Sequence, residues 1–134
     1  MSEFRMTCAG KILGATLAVA ALFGSGYVAG QSRFGQPKTV LHVVELKWNP
    51  GVSETDQQMA IAGIKQMAAK LPGVKNIWLK ADRVQPRDFS TAFAIEFRDR
   101  AAADAYAESE VHKQWEQEYV PLRQESISIQ VTNP

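Results

Sequence analysis

The chain has 134 residues, enough for one small domain, with 15 basic and 14 acidic side chains and a single cysteine. This balance gives no sign of a basic surface that would bind nucleic acid or an anionic membrane. One cysteine cannot form an internal disulfide, so the fold depends on its apolar core. We therefore expect a single domain with no nucleic-acid partner.

The first thirty residues have the pattern of an export leader. Arg5 and Lys11 precede an uncharged segment that covers residues 12–30. Two interpretations fit it, a signal peptide cleaved before Gln31 or a retained transmembrane anchor. Both place the domain outside the cytoplasmic membrane, periplasmic or secreted, and only the second keeps it attached through residues 12–30. The one cysteine, Cys8, belongs to this leader.

A polar segment at residues 31–38 contains Gly35 and Pro37 and is typical of a linker. The domain itself is predicted to cover residues 39–134. Its first element is a strand from Val40 to Trp48, rich in β-branched residues and followed by the turn signal Asn49-Pro50-Gly51. Alternation places these side chains on one face: Val40, His42, Val44, Leu46 and Trp48.

A helix is predicted after Ser53, which with Asp56 resembles a capping box. Apolar residues recur along it at three- and four-residue steps, among them Ile61 and Ile64. Leu71-Pro72-Gly73 ends the pattern, and residues 74–81 follow as a second strand. One helix face is therefore expected to pack against a sheet.

The next strand, residues 91–97, alternates clearly and places Phe93 on one side with Ile95 and Phe97. Asp99 is the predicted N-cap of a second helical region. Residues 126–131 alternate again as a final strand. The order β-α-β-β-α-β predicts an α+β, ferredoxin-like fold, a four-stranded antiparallel sheet with helices on one face.

The other face of such a sheet has no helices on it. Leu41, Val43, Ala92 and Ala94 are predicted to lie there. Because large exposed apolar patches usually mark interfaces, we expect a second copy of the chain to cover this face in a homodimer.

Three segments together resemble the stress-responsive A/B barrel domain family, often shortened to Dabb: "LHVVELKWNPGVSE", "LPGVKNIWLKADRV" and "TAFAIEFRDRAAADAYAESEVHKQW". The resemblance covers residues 39 to about 132. It implies a ferredoxin-like monomer that pairs sheet to sheet into a dimeric α/β barrel. Most members have no established biochemical activity.

A plant branch of this family includes a cofactor-free polyketide cyclase that performs an aldol condensation. The resemblance places its tyrosine on Tyr106, its histidine on His112 and a further pocket histidine on His42. The chain departs from the family pattern in two places. Residues 109–112 replace the usual His-Pro-x-His, and Leu79 stands where many members have glycine.

Tyr106 and His112 are six residues apart, so one unbroken helix would turn them to different faces. A new helix capped by Ser109 would let them converge. They would then line a pocket between sheet and helices together with these candidate ligand-binding residues: His42, Val44, Leu46, Ile61, Ile64, Phe93 and Trp115. His112 could remove an acidic proton beside a carbonyl, and Tyr106 could hydrogen-bond the resulting enolate oxygen.

A structural interpretation competes for the same residues, because tyrosine and histidine under a helix most often serve packing. No metal site is predicted, since two histidines without a nearby carboxylate are too few ligands. No cofactor is predicted either. Three functions remain: binding of a small apolar or aromatic molecule without turnover, cofactor-independent cyclase or lyase chemistry, and a ferredoxin-like monooxygenase or haem-binding role.

Overall fold

The computed structural model describes residues 35–134, and residues 36–134 form one compact unit. The predicted leader, residues 1–30, lies outside the described residues. The elements are, in chain order, β1 (Val40–Trp48), α1 (Glu54–Ala69), β2 (Val74–Trp78), β3 (Thr91–Phe97), α2 (Arg100–Glu108), α3 (Glu110–Tyr119), a 3-10 turn (Val120–Leu122) and β4 (Arg123–Val131). Within residues 35–134, no helix has the length and apolar character needed to cross a membrane.

The four strands form one antiparallel sheet in the order β2-β3-β1-β4. β1 lies between β3 and β4, with Val44 opposite Phe93 on one side and opposite Ser128 on the other. The sheet and its helices confirm the predicted ferredoxin-like fold. The helical region after β3 is split into α2 and α3.

Each helix begins at a residue whose side chain caps it. The Ser53 hydroxyl accepts a hydrogen bond from the Asp56 amide, and an Asp99 carboxylate oxygen accepts one from the Ala102 amide. At the α2–α3 junction, the Ser109 hydroxyl accepts a bond from the His112 amide. These side chains satisfy amides that have no partner inside the helix, which fixes where each helix starts.

The core lies between the sheet and the helices. Its largest fully buried side chains come from β1, α1 and β3: Val40, Leu46, Ile64, Ile95 and Phe97. Even-numbered residues of β1 and odd-numbered residues of β3 share this side, because directly opposed residues point to the same face. We call it the covered face.

Within residues 35–134, no helix packs on the opposite side of the sheet, which we call the open face. The pairing places Leu41 and Val43 of β1 there, next to Ala94 of β3, as predicted. Four larger apolar side chains on this face are between 44% and 58% exposed: Trp78, Ile127, Ile129 and Val131. Residues 35–134 alone therefore leave an apolar surface in contact with water.

Two strand boundaries differ from the predicted ones. β2 ends at Trp78 instead of residue 81, because Leu79 leaves the sheet and packs against the core. β4 begins at Arg123 instead of residue 126, with Arg123 opposite Trp48 across a register shift. The added residues, 123–125, are all polar, so no apolar alternation marks where the strand begins.

Candidate functional site

A cluster of ring side chains lies where α2 meets α3, above β1. It consists of His42, Tyr106, His112 and Trp115, and we call it the aromatic–histidine cluster. The break at Ser109 turns α3 away from α2, so Tyr106 at the end of one helix faces His112 at the start of the next. The break that would let these two side chains converge is present, and their rings lie side by side.

The rings lie close together. The ring centroids of Tyr106 and His112 are 4.2 Å apart, those of His42 and Tyr106 5.8 Å, and those of His112 and Trp115 6.1 Å. Tyr106 is 4% exposed, whereas the His112 side chain is 14% exposed. Within the cluster, His112 therefore provides an edge that solvent reaches, and Tyr106 lies beneath it.

Weak polar contacts hold the His112 ring. Its Nδ1 lies 3.4 Å from the carbonyl oxygen of Ala107, and its Nε2 lies 3.8 Å from a carboxylate oxygen of Glu116, one turn along α3. Both separations exceed the usual range for strong hydrogen bonds. Either nitrogen is therefore free to form a stronger hydrogen bond with a ligand.

The other two titratable groups of the cluster are shifted mainly by burial. Burial lowers the pKa of His42, and the nearby His112 lowers it further. The Nδ1 atom of His42 is buried, and no other group of residues 35–134 forms a hydrogen bond with it. Burial also raises the pKa of Tyr106 well above its usual value, and the nearby Tyr119 and Glu116 raise it further. At neutral pH, Tyr106 is thus a hydrogen-bond donor and His42 is neutral.

The other residues predicted to line a pocket here mostly fill the core. Five of them are at most 5% exposed: Val44, Leu46, Ile64, Phe93 and Trp115. The Trp115 indole donates a hydrogen bond from Nε1 to the Ala60 carbonyl oxygen at 3.0 Å. Its ring passes so close to Gly63 that a Cβ there would be 3.0 Å away. Trp115 thus occupies space between α1 and α3 that the predicted pocket would need.

A separate cavity of about 520 Å³ is lined by the first half of α1, the residues after β2 and the start of β3. We call it the helix–strand cavity, because α1 forms one wall and the ends of β2 and β3 form the other. Among the candidate ligand-binding residues, Ile61 lines it. The remaining lining residues are Glu54, Gln57, Gln58, Ala62, Leu79, Lys80, Ala81, Ser90, Thr91 and Ala92.

Hydrogen bonds to neighbouring residues orient two polar side chains of the helix–strand cavity. Thr91 accepts a hydrogen bond from the Trp48 indole at 2.8 Å, which leaves its own hydroxyl proton free. The Gln57 amide nitrogen donates to the Val52 carbonyl oxygen, so its side-chain oxygen stays available. Apolar contact comes from Ile61 and Leu79. Polar and apolar residues share the lining about equally, so the cavity offers apolar contact beside several polar groups. Small-molecule sites likewise combine apolar contact with a few oriented polar groups.

Tyr106 does not line the helix–strand cavity, but it lines a smaller one of about 190 Å³ between α2 and the turn at residues 71–73. Neither His42 nor His112 lines this cavity or the helix–strand cavity. Within residues 35–134, no group of three or more histidine, cysteine or acidic residues is arranged to hold a metal ion.

Several lining residues were not singled out from the sequence, notably Thr91, Lys80 and Gln57. Thr91 shares the covered side of β3 with Phe93, which marked it as inward-facing. No local pattern marked Lys80 or Gln57, because their place in the cavity depends on how α1 packs against β2.

Comparison with protein-family models matches residues 40–133 to the stress responsive A/B barrel domain. Comparison with curated proteins found no match.

Solved structures show the same fold at low identity. A dimeric ferredoxin-like protein of unknown function from Thermobifida fusca is 17% identical, with a TM-score of 0.62, 76% of this chain covered and 97% of that one. A Dabb family protein from Mesorhizobium loti is 18% identical, with a TM-score of 0.62, 72% of this chain covered and 97% of that one. Hydroxynitrile lyase from Passiflora edulis is 17% identical, with a TM-score of 0.64, 71% of this chain covered and 93% of that one.

At these identities the structures establish the fold and nothing further. The family match covers the whole domain from β1 to the residues after β4. The chain therefore belongs to the stress-responsive A/B barrel domain family.

Proposed function

We propose that this chain is a homodimeric binding protein that takes a small apolar or aromatic molecule into the helix–strand cavity. The observation that carries the proposal is the cavity itself, since about 520 Å³ is within the size range of small-molecule sites. Ile61 and Leu79 offer apolar contact. Thr91 and Gln57 can orient a polar substituent.

The homodimer is supported by the open face. Trp78 and Ile129 are 45% and 58% exposed there, and both would be buried by a second copy. The similar protein from Thermobifida fusca is dimeric. A second sheet packed on this face would leave the helix–strand cavity on the outer, helix side of each monomer.

The ligand proposal is tested by filling the cavity from α1. Ala62 lines it and is exposed, so Ala62→Phe adds a ring to the cavity without disturbing the core. Ala69→Phe is the matched control, because Ala69 is also an exposed alanine of α1 but does not line the cavity. The probes are naphthalene derivatives and medium-chain fatty acids, and binding is read as a rise in melting temperature.

We expect a probe that stabilises the wild-type chain and the Ala69→Phe variant but not Ala62→Phe. A ligand at a hundredfold excess over its dissociation constant contributes about 2.7 kcal/mol, which a melting curve resolves. Equal stabilisation of both variants would place binding elsewhere and overturn the assignment to this cavity.

A second candidate function is cofactor-independent lyase or cyclase chemistry at the aromatic–histidine cluster. It is favoured by the 4.2 Å between the Tyr106 and His112 rings and by the protonated state of Tyr106. His112 would accept a proton from a carbon beside a carbonyl, and Tyr106 would donate a hydrogen bond to the enolate oxygen. Hydroxynitrile lyase from Passiflora edulis has the same fold and is, by its name, a lyase.

This candidate is tested with mandelonitrile cleavage and with a model intramolecular aldol reaction. Both Tyr106→Phe and His112→Gln should reduce any turnover by about 10² or more, the usual contribution of one general base. Turnover that survives both substitutions would exclude the cluster as the catalytic site.

We further propose that the protein works outside the cytoplasmic membrane, on the basis of the basic residues and uncharged segment in its first thirty residues. The mass of the protein recovered from expressing cells tests this. Loss of residues 1–30 supports cleavage, and an intact chain in the soluble cytoplasmic fraction would contradict export.

A further inference from the structure

The covered side of β4 differs from the rest of that face. Three of its residues lie opposite inward-facing residues of β1 and are all polar, and we call them the β4 polar strip: Ser126, Ser128 and Gln130. Their partners across the ladder are Leu46, Val44 and His42. The covered face is thus mostly apolar on β1 but carries a row of hydroxyl and amide groups on the edge strand β4.

The helices do not cover this strip. Ser128 and Gln130 are exposed, whereas Val44, directly opposite Ser128, is 5% exposed. The strip runs for about 13 Å from Ser126 to Gln130, at about 3.3 Å per residue. Its Gln130 end adjoins His42 of the aromatic–histidine cluster. A small molecule can therefore lie on the strip without displacing core residues.

Arg123 lies at the other end of the strip and is held in one orientation. Its Nη1 donates to the Tyr119 hydroxyl and to the Ser126 hydroxyl, both at 2.6 Å. The guanidinium carbon lies 5.1 Å from the centroid of the Tyr119 ring. Tyr119 is itself fixed, since its ring stacks on Trp115 with centroids 4.0 Å apart.

Both acceptors of Arg123 are neutral, so its charge is not compensated by them. Among residues 35–134, Arg123 forms no ion pair with a carboxylate. A guanidinium has five N–H donors, and two hydrogen bonds from Nη1 leave Nε and Nη2 free. This free edge has the fork geometry that matches a carboxylate through two parallel hydrogen bonds.

We propose that Arg123 is a recognition residue for small carboxylic acids, and that the β4 polar strip binds hydroxyl groups of the same ligand. This site is distinct from the helix–strand cavity, because Trp48 lies between them. Trp48 is opposite Arg123 in the ladder and donates its indole hydrogen bond to Thr91 of the cavity. A negative result at Arg123 would therefore not affect the proposed binding in the cavity, and a negative result in the cavity would not affect the proposed site at Arg123.

Calorimetric titration of the full chain with 4-hydroxybenzoate and with neutral 4-hydroxybenzamide tests the proposal. The two probes share their ring and hydroxyl group and differ in charge. We expect the benzoate to bind about tenfold more tightly, since charge-assisted bidentate pairs are roughly twice as strong as neutral hydrogen bonds. Arg123→Gln should remove this preference, and Arg87→Gln, at an exposed arginine between β2 and β3, should keep it.

A measurement on the wild-type chain covers the case in which Arg123→Gln does not fold. Raising the salt concentration should weaken benzoate binding and leave benzamide binding unchanged, because salt screens only the charged pair. Equal affinity for the two probes would overturn the proposal, as would no binding of the benzoate. A benzoate preference that persists in a folded Arg123→Gln variant would overturn it as well.

Discussion

The two faces of the sheet differ in how far their apolar side chains are buried. Ile95 on the covered face is fully buried under the helices, whereas Ile129 on the open face is 58% exposed. Both are isoleucines in antiparallel strands of the same sheet. The covered face is buried within residues 35–134, whereas those residues leave the apolar surface of the open face in contact with water.

This difference separates what stabilises the monomer from what determines its assembly. Substitutions on the covered face should act on the free energy of unfolding. Substitutions on the open face should act on the oligomeric state. Matched substitutions on the two faces can therefore test this distinction.

Ile95→Ala and Ile129→Ala compare the two faces with the same chemical change. Ile95→Ala should cost about 2–5 kcal/mol of unfolding free energy, the usual range for removing a buried isoleucine side chain. Ile129→Ala should change the stability of the monomer by about 0.5 kcal/mol or less, as expected at an exposed position. Urea unfolding at protein concentrations low enough for monomers measures both. Similar losses at the two positions would contradict the distinction between the faces.

Ile129→Glu should separate assembly from folding. A charge at this position would be buried unpaired in a dimer, so we expect a folded monomer by light scattering after size exclusion. Met59→Glu is the control, since Met59 is 60% exposed but lies on α1, away from the open face. If Met59→Glu dissociates the protein and Ile129→Glu does not, the interface lies on the helix side instead.

Ser109→Ala should have a smaller effect, confined to the α2–α3 junction. The Ser109 hydroxyl accepts a hydrogen bond from the His112 amide and donates one to the Tyr106 carbonyl oxygen. Removing an N-cap of this kind costs about 1 kcal/mol. Ser109→Asp keeps a capping oxygen and should recover most of that loss. Equal stability of Ser109→Ala and wild type in thermal unfolding would mean that the cap does not hold the junction.

The fold was largely predictable because its signals are local. Alternation marked β1 and β3, and Ser53 and Asp99 marked the helix starts. A break at Ser109 was the condition under which Tyr106 and His112 could converge, since the two residues cannot share one face of an unbroken helix. The start of β4 was not marked, because its first three residues, 123–125, are all polar and carry no apolar alternation.

The candidate site was less predictable because cavities depend on packing between distant segments. The sequence indicated that Trp115 faces the sheet, but not that its indole would bond to Ala60 and fill the space beside Gly63. Ile61 was placed correctly on the inner side of α1. Whether that side met a strand or an opening depended on Leu79, fifteen or more residues away.

The smallest expected effect concerns charge on the covered face. His42 carries a pKa lowered by burial and then by His112, so its neutral form is favoured in the folded state. Below the usual histidine value of 6.5, the unfolded chain therefore binds more protons than the folded chain. Stability should rise as the pH increases towards 6.5, and this contribution should be constant above it.

His42→Gln removes the titrating group but keeps a polar side chain of similar size. Urea midpoints measured between about pH 5 and pH 8 should show a smaller pH dependence in this variant than in wild type. His112→Gln should lie between the two, because it removes the second cause of the shift and leaves the burial of His42 unchanged. Equal slopes for wild type and His42→Gln would show that His42 becomes protonated without loss of folding free energy, and that the covered face admits water at this point.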